Sequence, residues 1–332
     1  MSTESASTSV TTSTGVLSLR VRVEPVEGMG MVERVSGSLL GAACGDAMGA
    51  PFEGQTQVNA QRLRDWSISA ETLTYTDDTA MQRVLATHLA SNGGQVDQEM
   101  LAREFSAQWH SEPYRGYGAG PPRIFRAALA GHDWRCIARG LFDGSGSLGN
   151  GGAMRTAPAA FVPGSLDHRV DIARQQAEIT HTHPLALDGA AALCAGIAVA
   201  SEPESPLSAD WFLDRVRPYV HTREFALALD AVKAVVDDDA SPSAIGTALG
   251  RDITALSSVP TALALFLRTP QSPADAVLNA VLAGGDTDTI AAMTGALVGA
   301  HCGEDAIPSH WRSRLEAGPA QRREARSLAG LL

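Results

Sequence analysis

Two short stretches concentrate acids and hydroxyls at what reads as the first turn of a helix. One is YTDDTAM, with Thr76, Asp77, Asp78 and Thr79; the other is GGDTDT, with Asp286, Thr287, Asp288 and Thr289 directly before an apolar run. Asp and Thr at a helix start can satisfy free backbone N–H groups and complement the helix dipole. Capping needs one or two such side chains, however, not four in succession. Adjacent acids also repel one another, and burying them is costly unless a cation compensates. If the clusters meet, they offer four carboxylates and several hydroxyls. That all-oxygen donor set suits magnesium, manganese or calcium rather than zinc, and it has room for more than one ion. Spacing alone does not bring the clusters together.

Three further stretches carry weaker signals. The glycine-rich GSLGNGGAMR, Gly146 to Arg155, could present bare backbone N–H groups to phosphate, but it matches neither GxGxxG nor a P-loop. In THTHP, His181 and His183 lack the cysteine pair or HExxH that a zinc site would show. One of them at a pocket mouth, hydrogen-bonding a ligand, is the better reading, with the other structural or exposed. Glu53, in GDAMGAPFEG, follows a helix end and is either a surface glutamate or a third acid facing the same site.

The elements that must position these residues are helical nearly throughout. Small and apolar residues recur at helical spacing over Glu33–Ala50, and DDTAMQRVLATHLASNGG has acids at its start and Asn-Gly-Gly at its end. Helices are predicted for DQEMLAREFSAQWHS, for PPRIFRAALAG, and over about 167–179, 184–201, 208–217, 222–238, 242–249, 259–268, 272–283, 289–302 and 308–316. No run of alternating strands and no repeat is found. The expectation is a compact all-α single domain over residues 31–320. Ser/Thr-rich residues 1–30 are expected to be a disordered tail and 321–332 a C-terminal tail, although VLSLRVRVEPV within the former reads equally as a short strand. Several helices are apolar or small on more than one side, which predicts a central helical layer buried by others.

Composition narrows the function classes. The chain has 332 residues, 44% of them hydrophobic, and a formal charge of −11, so a nucleic-acid backbone partner is not expected. QRREAR near the C-terminus reads as a solvated helix face. No apolar run approaches the ~18 residues of a membrane span. Cys44, Cys136, Cys194 and Cys302 form no CxxC pair and read as small buried thiols in a reducing, cytoplasmic setting.

Taken together, GSLLGAACGDAMGAPFEG, YTDDTAM, RGYGAG, GNGGAMR, THTHP and GGDTDTIAAMTGALVGAHCG resemble, in order, the motifs of the ADP-ribosylglycohydrolase family, which includes the dinitrogenase reductase-activating glycohydrolases. They span about Gly37 to Gly303. The closest branch is the one that cleaves ADP-ribose from serine and hydrolyses related O-linked compounds. The alternatives are an ADP-ribosylarginine hydrolase and a hydrolase of small O-linked ADP-ribose metabolites.

The resemblance implies a compact orthogonal multi-helix fold, a centre of two magnesium ions (manganese also serving), an ADP-ribose or ADP-ribosylated protein substrate, and a monomer. By matching motif positions it implies metal ligands at Thr76, Asp77, Asp78, Asp286, Asp288 and Thr289, with Thr287 pointing away. It places catalytic roles on Glu53, Asp77 and Asp288. Gly116, Ser147, Gly149, Asn150 and His181 would line the ADP-ribose cleft, and Phe142 would stack on adenine. Leu148 stands where the serine branch has a tyrosine on the other adenine face.

Overall fold

Glycine recurs at every fourth residue from Gly37 through Gly41 and Gly45 to Gly49, which lines one face of a helix with bare backbone. That face is met by a second helix carrying Thr287, Ala291, Gly295 and Gly299 at the same spacing. A Cβ added at Gly45 would lie 2.0 Å from the Ala291 carbonyl oxygen, and one at Gly41 would lie 2.3 Å from that of Gly295. The approach is reciprocal: a Cβ on Gly299 would lie 2.0 Å from the Gly37 oxygen. The pairing of 37 with 299 and 49 with 287 makes the two helices antiparallel. The start of one therefore lies beside the end of the other.

The computed structural model describes residues 29–202 and 207–332. Among them are seventeen α-helices and no β-strand beyond isolated bridges such as Gly149 with Thr254. The chain enters through α1 (Met31–Gly49), α2 (Ala60–Ser69), α3 (Asp77–Ser91) and α4 (Gln98–Ser111). It continues through α5 (Pro121–Leu129) and α6 (Trp134–Gly140) into the glycine-rich loop and the one-turn α7 (Gly151–Met154). Next come α8 (Leu166–Ala177), α9 (Pro184–Ala200), α10 (Ala209–Val216), α11 (Arg223–Asp237), α12 (Pro242–Leu249) and α13 (Ala255–Arg268). The last four are α14 (Pro273–Ala283), α15 (Thr287–Cys302), α16 (Ser309–Arg314) and α17 (Gly318–Ala329).

The glycine-faced pair is α1 and α15. Residues 34–49 of α1 and 287–300 of α15 are all buried, and α9 is buried over 188–200. These helices form the predicted central layer, with α3, α8, α13, α14 and α17 packed around it.

The all-α reading holds, with local differences. α13 begins at Ala255, ahead of the predicted 259, and carries Pro260 inside it. Pro260 sits only six residues into the helix, so it removes a single backbone hydrogen bond while the buried face from Ser258 to Phe266 keeps the helix in place. The C-terminal segment 321–332 is not a tail. Most of it belongs to α17, whose Ala325 and Leu328 are fully buried against the core and whose Glu324 pairs with Arg83 at 2.8 Å. Its charges had obscured an amphipathic stripe. The expected N-terminal tail, with its strand-like segment, lies outside the described residues apart from Met29 and Gly30. Cys44 and Cys194 are buried as expected, whereas Cys136 is exposed and Cys302 partly so. No helix among the described residues is long and apolar enough to cross a membrane.

Candidate active site

The antiparallel register of α1 and α15 decides where the second acidic cluster falls. Thr287 turns into the helix pair, its Oγ1 donating to the Gly49 carbonyl at 2.9 Å and occupying a carbonyl that the end of α1 would leave free. It is the spacer between Asp286 and Asp288. Just beyond α1, the loop carrying Glu53 is tied to the same place: Gly54 N donates to Gly285 O at 2.8 Å, and Gly285 N to Gln55 O at 2.9 Å. Carboxylate oxygens of Glu53, Asp286 and Asp288 consequently lie within 4.8 Å of one another.

The first cluster is fixed by a residue the sequence reading did not single out. Asp46, one turn before the end of α1 and completely buried, accepts from Thr76 N at 3.0 Å, Thr79 N at 3.1 Å and Thr79 Oγ1 at 2.6 Å. It caps α3 from another helix. This leaves Asp77 and Asp78 free of the capping duty their position suggests and turns them toward α15. Asp78 and Thr289 meet at 3.4 Å between Oδ2 and Oγ1, and Thr76 Oγ1 lies 3.3 Å from the same oxygen. The clusters that are distant in sequence thus share one site. Asp286, at the N-cap position of α15, makes no capping hydrogen bond; it accepts from Asn150 Nδ2 at 2.6 Å instead.

Burial without enough positive charge leaves these acids strained. Desolvation, with Asp46, Asp286 and Glu53 adding repulsion, pushes the Asp77 carboxyl up to about 8. Burial and the neighbouring acids hold Asp78 and Asp288 well above the ordinary carboxylate range. Asp286 is raised by burial, although Asn150 counteracts it. Glu53, on the exposed side, is raised by partial burial and by Asp286. Asp78 Oδ1 is buried with no hydrogen-bond partner. A divalent cation would relieve all of these effects, and the donors are oxygen throughout, so the residues present fit a hard metal ion.

The cleft loops adjoin this centre. The backbone of Arg115 accepts from Asp77 N at 2.8 Å, and Gly116, with φ of 93°, lies so close that a Cβ there would be 3.8 Å from Asp77 Oδ1. Asn150 is buried; its backbone N donates to Ile253 O at 2.9 Å while its side chain bridges Ser258 and Asp286. Ser147 is buried, and its Oγ accepts from Gly149 N at 3.3 Å.

His181 lies behind that loop. Thr180 Oγ1 accepts from Arg155 Nη2 at 2.9 Å and lies 2.7 Å from His181 Nδ1. Arginine only donates, so the threonine hydroxyl uses one lone pair on Arg155 and has its proton and a second lone pair left for Nδ1. The other ring nitrogen, Nε2, faces Gly149, where a Cβ would be 3.2 Å away. Burial and the Arg155 charge push the pKa of His181 down to about 3, so the ring is neutral.

Arg155 itself, quoted in the glycine-rich motif but given no role there, is fully buried. It is held by Gln176 and stacked 4.7 Å from the centre of the Phe105 ring. Burial lowers it to about 9, with Asp77 acting in the other direction. Its charge partly offsets the acids. His183 does structural work, accepting from Leu185 N at 3.2 Å as the N-cap of α9.

Phe142 and Leu148 stand apart from this cluster. Phe142 is 62% exposed in a left-handed turn with φ of 51°, and Leu148 is 37% exposed. Both flank the loop at its solvent side, and among the described residues no aromatic stacks on Phe142. Asp46 and Arg155 were the residues missed, and Thr79 of the first cluster serves as a donor to Asp46. A buried acid within a glycine-rich helix was the available signal for Asp46, because an acid there needs a partner.

Comparison with known proteins adds to the geometry. The ADP-ribosylglycohydrolase family model matches residues 29–332. ADP-ribosylhydrolase ARH3 of Xenopus tropicalis is 34% identical over 323 residues, covering 86% of this chain and 91% of that protein. The Homo sapiens protein of the same name is 31% identical over 331 residues, with 86% and 90% covered. A solved chain described as "ADP-ribosylglycohydrolase-related protein complex" superposes with a TM-score of 0.68 at 24% identity, over 91% of this chain and 98% of its own, which is a likeness of fold.

Proposed function

The chain belongs to the ADP-ribosylglycohydrolase family and is a glycosyl hydrolase acting on ADP-ribosyl groups; from that premise we propose that it removes ADP-ribose from serine, and from related O-linked compounds, with magnesium as its metal. The observation that carries this reading is the meeting of Glu53, Asp78, Asp286, Asp288 and Thr289 around one oxygen-lined point beside the 147–150 loop. The likeness of YTDDTAM, RGYGAG and GGDTDTIA to the serine-cleaving branch supports the linkage.

Thr76, Asp77, Asp78, Asp286, Asp288 and Thr289 would hold two ions. Bound there, magnesium or manganese would compensate the acids, grip ribose hydroxyls and make a water more acidic. The residues supply the rest. Asn150 holds Asp286 in place, and Asp46 holds the first turn of α3. His181, as its Nε2–H tautomer, would donate to a substrate oxygen next to the Ser147–Gly149 backbone. Phe142 supplies an aromatic face for adenine, and Leu148 an apolar contact.

Cleavage at the anomeric carbon passes through an oxocarbenium-like state. A serine alkoxide leaves poorly without a proton. Glu53, beside Asp286 and Asp288 and open to solvent on one side, would hold that proton and pass it to the leaving oxygen. Asp77 or Asp288 would orient the attacking water.

Turnover of serine-linked and arginine-linked ADP-ribosyl peptides and of O-acetyl-ADP-ribose, each with magnesium and with EDTA, tests this. Release of ADP-ribose from the serine peptide only with magnesium is expected. Activity confined to arginine linkages would replace the reading with the arginine one, and activity confined to the acetyl compound with the metabolite one.

A further inference from the structure

The family motifs end at Gly303, yet residues beyond them reach the first acidic cluster. Leu73 N donates to Arg314 O at 2.9 Å and Glu316 N to Leu73 O at 3.0 Å, so the link between α16 and α17 runs parallel to the stretch that leads into Thr76. Side chains extend this contact. Glu316 grips the buried Arg115 with both carboxylate oxygens, accepting from Nη1 at 2.8 Å and from Nη2 at 2.9 Å. Arg115 Nη1 also donates to Tyr75 O at 3.0 Å, and its guanidinium lies 4.0 Å from the centre of the Tyr75 ring. The Arg115 carbonyl in turn accepts from Asp77 N at 2.8 Å. One residue therefore holds the chain on both sides of Thr76, Tyr75 with its side chain and Asp77 with its backbone.

Resting on the proposed hydrolase reading, we propose that Glu316 is a positioning residue for the reaction, acting through Arg115 on Asp77 and so on the first half of the acid centre. A two-oxygen grip fixes the plane of a guanidinium as a single hydrogen bond does not. With Glu112 taking Nη2 at 2.8 Å from its other side, the Arg115 side chain has one orientation, and the backbone that carries it is held as well. That backbone borders the centre directly. Gly116 follows with φ of 93°, and a Cβ there would lie 3.8 Å from Asp77 Oδ1. A swing of the Arg115–Gly116 backbone thus moves the partner of Asp77 N and changes the room left to the Asp77 carboxylate. Partners behind a metal ligand commonly set its orientation and the affinity of the site.

A second ion pair fastens the same C-terminal segment without reaching Asp77. Glu324 of α17 accepts from Arg83 Nε at 3.1 Å and from Nη2 at 2.8 Å, while Arg83 Nη1 donates to Tyr75 Oη at 3.0 Å. Among the described residues none of the Arg83 side-chain hydrogen bonds goes to residues 76–79. Loss of this pair loosens α17 from α3 but leaves the Arg115 carbonyl on Asp77 N. The two pairs therefore separate an effect on the acid centre from an effect on stability alone.

The test uses the full chain, a serine-ADP-ribosylated peptide as substrate, and magnesium alone as the ligand in calorimetry. Glu316→Gln keeps the shape of the side chain and removes its charge. It should weaken magnesium binding about tenfold and lower kcat about tenfold with KM little changed, the scale seen when a partner behind a metal ligand is lost. Glu316→Asp, too short to keep both contacts, is the second variant and should show a smaller loss of the same kind. Glu324→Gln should lower the urea midpoint as Glu316→Gln does, but leave kcat and magnesium affinity unaltered. Arg115→Lys keeps the charge and loses the fork. It should reproduce the losses, and its combination with Glu316→Gln should lose no more than Arg115→Lys alone, because Glu316 acts through that guanidinium. Unchanged kcat and magnesium affinity in the Glu316 variants would overturn the inference while the hydrolase reading stands. So would equal losses in Glu324→Gln, or losses that multiply in the double variant. Neither magnesium binding nor turnover in the unaltered protein would overturn the hydrolase reading and this inference with it.

Discussion

Asp288 and Asp46 are both buried acids, yet the structure gives them opposite work. Asp288 has Glu53 and Asp286 as neighbours and, among the described residues, only its own helix's Thr289 N, at 2.9 Å, as a backbone donor. Its negative charge is available to a cation. Asp288→Asn should lower kcat by about two to three orders of magnitude, the scale seen when one electrostatic group at a reaction centre is removed. It should also abolish the rise in melting temperature on adding magnesium. Full activity with undiminished magnesium binding would overturn the assignment. Asp46, by contrast, has its oxygens taken up by Thr76 and Thr79. Asp46→Ala would leave those donors buried and unpaired, at a cost of about 1–3 kcal/mol. Urea denaturation with magnesium present measures it, so that relieved repulsion among the acids does not mask the loss. An unchanged midpoint would show that Asp46 does not anchor α3.

At the level of elements, the α1–α15 contact sets the distance between Glu53 and Asp286 as well as stability. A Cβ on Gly295 would lie 2.1 Å from the Gly41 carbonyl oxygen, which is backbone and has nowhere to go. Gly295→Val should destabilise the fold by about 1–3 kcal/mol or more through overpacking, read as a lower urea midpoint. Activity should fall further than stability predicts, because separating the helices lifts Asp286–Thr289 away from α3. A variant with normal stability and normal kcat would mean the helices do not meet in this register. The same contact explains why the four-residue acidic cluster is not a cap: α15 starts against the buried end of α1, not in water, and Asn150 takes Asp286.

For the whole molecule, the consequence of burying a neutral histidine is a pH dependence with a definite sign. Burial and Arg155 push His181 down to about 3, against an unfolded value near 6.5. Below pH 6.5 the unfolded chain takes up a proton that the folded protein refuses, so stability from this group is full above 6.5 and is lost as pH falls toward 3. At pH 5 the loss is about 2 kcal/mol. The difference in unfolding free energy between pH 7.5 and pH 5 should therefore be smaller by about that amount in His181→Asn than in the unaltered protein. Equal pH dependence in the two would place His181 in a solvated setting instead.

The sequence by itself determined the class and the chemistry on offer. Helical periodicity is local, so the all-α fold and the buried central layer could be read from spacing, and two runs of Asp and Thr announced a hard-cation donor set before any coordinates. Order along the chain and resemblance to known motifs supplied the family. Tertiary structure decided which acids meet and which hold a neighbouring helix. Glu53, Asp78 and Asp286 come together only because two glycine faces let α1 and α15 run antiparallel in contact, and that register is a property of the pair, not of either stretch. Asp46 and Arg155 were opaque in the sequence for the same reason. Each is defined by partners far along the chain, Thr76 and Thr79 for one, Phe105, Gln176 and Thr180 for the other. The α17 segment was misread because its charges outweigh the few apolar residues that α1 and α3 bury. Long-range burial, invisible in a linear pattern, is what turned a tail into a helix and a helix start into half of an acid cluster that fits a hard cation.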